Sequence, residues 1–360
     1  MTDLVVVGGG VTGLVAAYEA RRLGADVLLL ESERRSGGVV VTERLGGEWI
    51  VEGGPDSFLG RDDAIPTLAG ELGLGQRIVR QAAHGAFVWT GAELVPLSEG
   101  EAAALLGIQA KPEDLAAGHL SFAAGMRELV DALEAAVGPA LRLGAGVSGI
   151  TPTRGAFRLS VTGGPVVTAP NVILAVPAWR AAQLVRGLAR EVAAILDEIR
   201  YLPSVTVSLA YRAPQVGVPL AGTGFVTRGG GALRACTFSS SKFPNRAPAG
   251  HVLLRAFLAP GSEPAAALAH ELMRPILKIA GAPLWSRTYE WPRGIPVYGA
   301  DHEARMARVR ERLAGLGNLA LAGAGYDGAG VGACVRSGRE AVRSSFLASA
   351  TTRSTVSPSS

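Results

Sequence analysis

Gly8, Gly10 and Gly13 stand in Gly-x-Gly-x-x-Gly spacing, running from the apolar run Leu4–Val7 into Val11–Arg22, which reads as a helix. That spacing suits one kind of chemistry, the binding of a pyrophosphate. The first glycine permits a tight strand-to-helix turn, the second lets the anion touch backbone, and the third lets helix and strand pack closely. The anion then meets the free N–H groups of the helix start, where the dipole favours negative charge. Glu31 closes the apolar run Leu28–Leu30, where a carboxylate can accept hydrogen bonds from an adenosine ribose. The candidate cradle is therefore Gly8, Gly9, Gly10, Val11, Thr12 and Gly13, with Glu31 beyond it. In a chain with 48 glycines the glycine pattern alone is a weak signal. The strand before, the helix after and the acid beyond turn it into a dinucleotide site. Glu31 disfavours a 2′-phosphate, with Arg34 and Arg35 weighing the other way.

A chain of 360 residues with 48% hydrophobic content has ample core material, and its length fits two interleaved domains. The net charge of +4 is mild and the arginines are scattered, which argues against a nucleic-acid partner. A solvated arginine surface, an anionic small substrate and a weak membrane-surface contact all fit that charge. Cys236 and Cys334 lie far apart and read as reduced thiols. His84, His119, His251, His270 and His302 show no metal-ligand spacing, so no metal is expected. No basic leader precedes the first apolar run and no apolar stretch reaches about 18 residues, so the expected location is cytoplasmic, without a transmembrane segment.

Helices are expected over 64–72, 101–106, 126–137, 263–280, 301–316 and 334–346, the third from apolar residues at Met126, Leu129, Val130, Leu133 and Val137. Strands are expected over 48–52, 147–150, 157–161, 171–175 and 319–323, with a hairpin of 87–89 and 93–95 around Thr90-Gly91. Residues 111–120 give no clear signal. The strands 204–211, 225–227, 233–239 and 252–258, separated by turn residues, imply a mainly antiparallel sheet in a second domain. The Ser/Thr-rich end, Thr351 to Ser360, reads as a disordered tail.

After Glu31 come Arg35-Ser36-Gly37-Gly38 and then Gly53-Gly54-Pro55-Asp56-Ser57. In order and spacing these resemble the FAD-dependent amine-oxidase superfamily, in which an acid, Arg-x-Gly-Gly and a Gly-Pro loop follow the Rossmann unit. Arg35 can neutralise phosphate charge, and the paired glycines let backbone approach a flat ring. Leu319–Gly323, then the glycine-rich 324–332 and a helix, match the superfamily's second flavin motif. Phe238-Ser239-Ser240, Phe243-Pro244-Asn245-Arg246 and the strand after Gly250 resemble protoporphyrinogen and coproporphyrinogen oxidases more than monoamine oxidases. Ser239 and Lys242 also have Ser-x-x-Lys spacing, but as the acylating pair of a β-lactamase they would need a helix start and further partners. Ser239 reads as a strand end.

The resemblance implies an α/β fold, a Rossmann-type FAD-binding domain with a second, mainly antiparallel-sheet substrate domain. It implies non-covalent FAD flanked by Gly37, Gly38, Val39, Gly54, Pro55, Asp56, Ser57, Trp291, Gly323, Ala329, Gly330 and Val331, with a Val147 backbone contact to adenine. It also implies a tetrapyrrole substrate, molecular oxygen as acceptor, and peripheral contact with a membrane face. The domain plan is FAD-binding over 1–85, 138–200 and 291–349, substrate or cap over 86–137 and 201–290, and tail over 350–360. Two features depart from the family. A segment of domain-like size is missing between Ser121 and Phe122, and Ala86 stands where relatives carry an arginine facing a substrate carboxylate. An amine or other small-molecule oxidase and a non-catalytic FAD-binding paralogue stay open as alternatives, as does the choice between the two porphyrinogens. No catalytic base is assigned.

Overall fold

The structure, a computed structural model, describes residues 2–106 and 111–354. The chain divides into two compact units, each assembled from separated stretches: residues 1–38, 129–201 and 296–360 in one, 39–128 and 202–295 in the other.

In the first unit a parallel sheet runs in the order Leu141–Arg142, Val27–Leu30, Leu4–Val7, Asn171–Leu174, Leu319–Leu321. Its central strands are apolar throughout apart from Asn171 because both faces are covered, as a parallel sheet requires. Helix Val11–Arg22 follows the first strand, and the long helix Val331–Ser354 packs across it. A side chain at Gly338 would press on Thr12 O at 2.5 Å, so the glycine sets that crossing distance. The last helix takes in Thr351–Ser354, expected to be disordered; extending an established helix costs far less than starting one. The remainder of the expected tail lies outside the described residues. A smaller antiparallel sheet, Val147–Thr153, Ala156–Val161 and Val167–Ala169, shares the unit's core.

The second unit is built on a seven-stranded sheet in the order Trp285–Val297, Arg200–Arg212, His251–Leu258, Leu233–Phe238, Gly224–Thr227, Ala86–Trp89, Leu94–Leu97. From Arg200–Arg212 through to Gly224–Thr227 the neighbouring strands pair antiparallel, as do Ala86–Trp89 and Leu94–Leu97, whereas Gly224–Thr227 and Ala86–Trp89 run parallel. Helix Ala265–Leu277 buries Ala269, Met273 and Leu277 in the core of that sheet. The hairpin Thr42–Leu45 and Trp49–Glu52 packs Trp49 and Val51 on Ala210 and Leu253. This packing is why residues 39–85 group with the sheet unit rather than with the dinucleotide unit, where the sequence reading put them. Residues 111–120, uninformative in sequence, hold a short helix Pro112–Ala116 and the start of strand His119–Phe122.

That strand holds the point where the gap is expected. It pairs with Phe58–Leu59 on one side and Ile78–Arg80 on the other, and Ser121 and Phe122 are fully buried. Only Leu120 is paired on both sides; Ser121 and Phe122, at the strand's end, pair with Val79 and Ile78 alone.

Candidate cofactor site and the buried charge cluster

In the first unit, Gly8 has φ +105°, and a side chain there would strike Ala175 O. A side chain at Gly13 would overlap the Gly8 carbonyl oxygen, so helix and strand meet at glycine distance. Gly10 differs: a Cβ there meets nothing within 4 Å. Gly10 is the N-cap of helix Val11–Arg22, no side chain caps that end, and its first turn carries no acid. The orphan N–H groups of the first turn thus open onto free space beside Gly10, an arrangement that suits a pyrophosphate. Gly37 N donates to Gly9 O at 2.8 Å and brings the Gly37-Gly38 turn against the cradle. The buried Glu31 carboxylate accepts from Gly9 N at 2.5 Å and Glu33 N at 2.7 Å.

Gly323, Ala329, Gly330 and Val331 lie in the same unit. The turn is tighter than expected, with a short helix Ala324–Asp327 and the long helix starting at Val331, ahead of the expected residue 334. A side chain at Gly323 would touch Thr12 Oγ1 at 3.2 Å, so the second glycine turn closes on the first helix. Arg35 is exposed and donates to Ser36 O at 3.3 Å. Val147 opens the smaller sheet, and its carbonyl accepts from Arg180 Nη2 at 2.9 Å. The residues present fit the ADP half of FAD.

Val39, Gly54, Pro55, Asp56, Ser57 and Trp291 belong to the sheet unit. A side chain at Gly54 would overlap Val39 O, and Trp291 Nε1 donates to Gly53 O at 2.8 Å. The Gly53–Ser57 loop is held from its buried side by charge. Arg255 Nη1 donates to Gly54 O at 2.7 Å. Lys242 Nζ donates to both carboxylate oxygens of Asp56 and to Ser57 Oγ, each at 3.2 Å. Ser121 Oγ donates to Asp56 O, and Arg246 Nη2 donates to Ser121 Oγ and Phe122 O. Ser239 opens a one-turn helix after its strand, a correction to the strand-end reading, but Lys242 is committed to Asp56 and Ser57, so no acylating pair forms.

Glu52 completes the cluster, accepting from Thr42 Oγ1 at 2.7 Å and Met126 N at 2.8 Å. Burial pushes its carboxyl up to about 7 against the pull of those hydrogen bonds and of Arg246, with Asp56 adding to the rise. Burial also pushes Asp56 upward, but Lys242 and Arg255 more than reverse it and hold it well below the usual carboxylate range. His119 is driven down by burial and by Lys242, so its approach to Glu99 at 3.9 Å is not an ion pair at neutral pH.

The sequence reading missed Glu52, Arg246, Arg255 and the role of Lys242. A signal was present: Glu52 ends Trp49-Ile50-Val51 and Arg255 interrupts Leu253-Leu254…Ala256-Phe257, and a charge inside an apolar strand must find a buried partner. Among the described residues no group of His, Cys, Asp and Glu could hold a metal ion, and no helix is long and apolar enough to cross a membrane.

A Rossmann-type dinucleotide unit interleaved with a mainly antiparallel sheet unit defines a class of flavoprotein. The family of flavin containing amine oxidoreductases matches residues 76–344, and the NAD(P)-binding Rossmann-like domain matches residues 6–72. The chain belongs to the flavin containing amine oxidoreductases, and it is an FAD-dependent oxidoreductase. It is 24% identical to the coproporphyrinogen III oxidase of Bacillus subtilis (strain 168) over 462 aligned positions, covering 94% of this chain and 97% of that protein. It is 28% identical to the chloroplastic protoporphyrinogen oxidase 1 of Arabidopsis thaliana over 256 positions, 64% of this chain and 47% of that one. The crystal structure of a candidate protoporphyrinogen oxidase from Exiguobacterium sp. 255-15 superposes with TM-score 0.82 at 26% identity, covering 96% of this chain and 99% of that one. An alignment of 462 positions to a chain of 360 residues must leave many positions of the Bacillus protein without a counterpart here.

Proposed function

We propose that the protein is an FAD-dependent oxidase that dehydrogenates a porphyrinogen, coproporphyrinogen III or protoporphyrinogen IX, to the porphyrin of haem biosynthesis. The observation that carries this reading is the alignment with the Bacillus coproporphyrinogen III oxidase, which runs through both units. FAD, when bound, would supply the hydride-accepting chemistry of this dehydrogenation, with oxygen as the final acceptor.

The chain's own residues supply position and charge. The open backbone at Gly8–Gly13, with Val11 and Thr12, holds the pyrophosphate, Glu31 holds the ribose, Arg35 balances phosphate charge and the Val147 backbone meets adenine. Gly37, Gly38, Val39, Gly323, Ala329, Gly330 and Val331 let backbone approach the flavin, and Gly54, Pro55, Asp56, Ser57 and Trp291 flank it. Cys334 lies within the first turns of its helix and is partly covered, which favours a non-covalent cofactor. The sheet from Ser204 to Leu258 supplies a wall for a flat substrate. Oxygen as acceptor, a cytoplasmic location and at most a peripheral membrane contact belong to the same proposal.

The test is anaerobic reduction of the bound flavin by each porphyrinogen and by simple amines, followed through loss of the oxidised-flavin band. Reduction by porphyrinogens supports the proposal. Reduction by amines alone points to a small-molecule oxidase, and no reduction by either class points to a non-catalytic FAD-binding protein.

A further inference from the structure

Within the sheet unit, Glu52, Asp56, Arg246, Arg255, Ser208 and Ser239 line a small, largely enclosed cavity with about 10 Å³ for the centre of a water molecule, room for one. Arg255 is 6% exposed, and two of its nitrogens are engaged, Nη1 with Gly54 O and Nη2 with Thr206 Oγ1. Its buried Nε has no partner among the described residues. Orphaned buried donors are rare in folded proteins, and an enclosed water is the usual remedy. On the Glu52 side, each carboxyl oxygen accepts one hydrogen bond, from Thr42 Oγ1 and Met126 N, and keeps capacity for a second. A water here therefore has the two or more polar partners it needs.

We propose that this cavity binds a single water molecule joining the Glu52 carboxyl to Arg255 Nε, and that Glu52 is the positioning residue that takes up and releases a proton beneath the Gly53–Ser57 loop. The step is a plain proton exchange: the carboxylic acid becomes a carboxylate and its proton is released to bulk solvent, with the cavity water as the first relay and no electrons moved. The charged groups that face Glu52 are Arg246, Asp56 and Arg255. Lys242 and His119 stand next to Asp56, Glu128 acts on Arg246, and Tyr289 on Arg255. Of the two carboxyls on the cavity, Asp56 is pinned as an anion by Lys242 and Arg255, whereas burial brings Glu52 to about 7. Environments that push two carboxyls apart assign one as fixed charge and the other as proton carrier. The inference rests on the proposed function in one respect only, that the Gly53–Ser57 loop flanks the flavin.

The test uses the FAD-loaded protein. A high-resolution crystal structure should show one water within hydrogen-bond distance of Arg255 Nε and the Glu52 carboxyl; a dry cavity overturns the proposal. Difference infrared spectra between about pH 5.5 and about pH 8.5 should show one protonated-carboxyl band fading with a midpoint of about 7. That band should be missing from Glu52→Gln. A parent protein without the band, or a Glu52→Gln variant that keeps it, overturns the assignment, and the parent spectra decide the matter even if the variant fails to fold. The oxidised-flavin band should shift with the same midpoint, and a flavin spectrum blind to the titration overturns the placement beneath the loop. None of these readouts needs turnover. A titrating carboxyl in a protein that no porphyrinogen reduces would support the proton site while removing the proposed substrate.

Discussion

The glycine cradle of the dinucleotide unit and the charge cluster of the sheet unit answer the same problem, holding polar groups ready in a folded interior, by opposite means. The cradle uses backbone. Its N–H groups come from one turn, and the glycines between Gly8 and Gly13 serve by having no side chain to intrude. The cluster uses side chains drawn from distant stretches: Asp56 meets Lys242 across 186 residues of sequence, and Arg246 meets Ser121 across 125. A backbone device is compact in sequence because the turn that makes it is local. A side-chain device exists only after the sheet has registered, and it must carry its own charge balance into a medium that penalises every unpaired ion.

The sharpest way to break the comparison is at two glycines of the same cradle. Gly10→Val should abolish FAD binding while the apoprotein keeps its melting temperature, because the new side chain enters open space that only the pyrophosphate would fill. Gly13→Val should lose several kcal/mol of stability, because its side chain is driven into the Gly8 carbonyl. Purification yield of FAD and thermal melting of the apoproteins separate the two. An unchanged cofactor content in Gly10→Val would show that the turn does not bind the pyrophosphate. In the cluster, Lys242→Met should cost about 3–5 kcal/mol in denaturant unfolding, since it strands the buried Asp56 carboxylate. The double variant with Asp56→Asn should recover part of that loss. A single variant as stable as the parent would mean the pair contributes nothing.

The contrast also explains what could be read from the chain. The parallel strands at 4–7, 27–30, 171–174 and 319–321 were visible because buried strands are nearly unbroken apolar runs, and the turns after 4–7 and 319–321 were visible by their glycines. The sheet strands at 204–211 and 252–258 were visible for their apolar content and turn punctuation. The edge strand Trp285–Val297 was hidden by its two internal prolines and its exposed polar residues, which suit an edge and nothing more central. Strand His119–Phe122 was hidden by its brevity, since four residues carry no period. Asp56 and Ser57 were named for their place after a Gly-Pro turn. Glu52 and Arg255 were passed over because a lone charge in an apolar run announces a partner without saying which.

A smaller effect separates the two carboxyls by pH. Folded Glu52 titrates at about 7 against 4.5 for an ordinary glutamate, so between those values the folded protein binds the extra proton. Stability should therefore fall as pH rises through that window, by about 3 kcal/mol in all, and level off above it. Asp56 works in the opposite sense at lower pH: its contribution is present above the ordinary carboxylate range and is lost as pH falls toward its depressed value. Glu52→Gln should flatten the slope between 4.5 and 7 and leave the acid limb in place. A slope that survives this change would assign it to another group.

The porphyrinogen reading sets a test of the sheet unit as a whole. With fewer residues to cover a flat substrate than the Bacillus relative has, binding should suffer more than the hydride step, since a pocket must enclose most of a ligand to align one carbon. Flavin reduction should then saturate only at high porphyrinogen concentration, with little preference between the copro and proto forms. Added salt should raise the apparent Kd if the basic surface attracts the propionates. Stopped-flow reduction without oxygen decides, and tight saturation by one porphyrinogen with none by the other would show a complete, selective pocket.

The smallest effect expected is at Glu31, where the two devices meet, a side chain serving the backbone cradle. Its carboxylate accepts from Gly9 N and Glu33 N, so Glu31→Ala removes a partner from the buried Gly9 N–H as well as from the ribose. The fold should lose about 1–3 kcal/mol, and FAD affinity should drop about tenfold, one or two hydrogen bonds' worth. Glu31→Gln, which keeps an acceptor oxygen for Gly9 N, should restore most of the stability and less of the affinity. Isothermal titration of the apoproteins with FAD, beside their melting curves, measures both. Equal recovery of stability and affinity in Glu31→Gln would mean that Glu31 holds the turn and has no separate hold on the ribose.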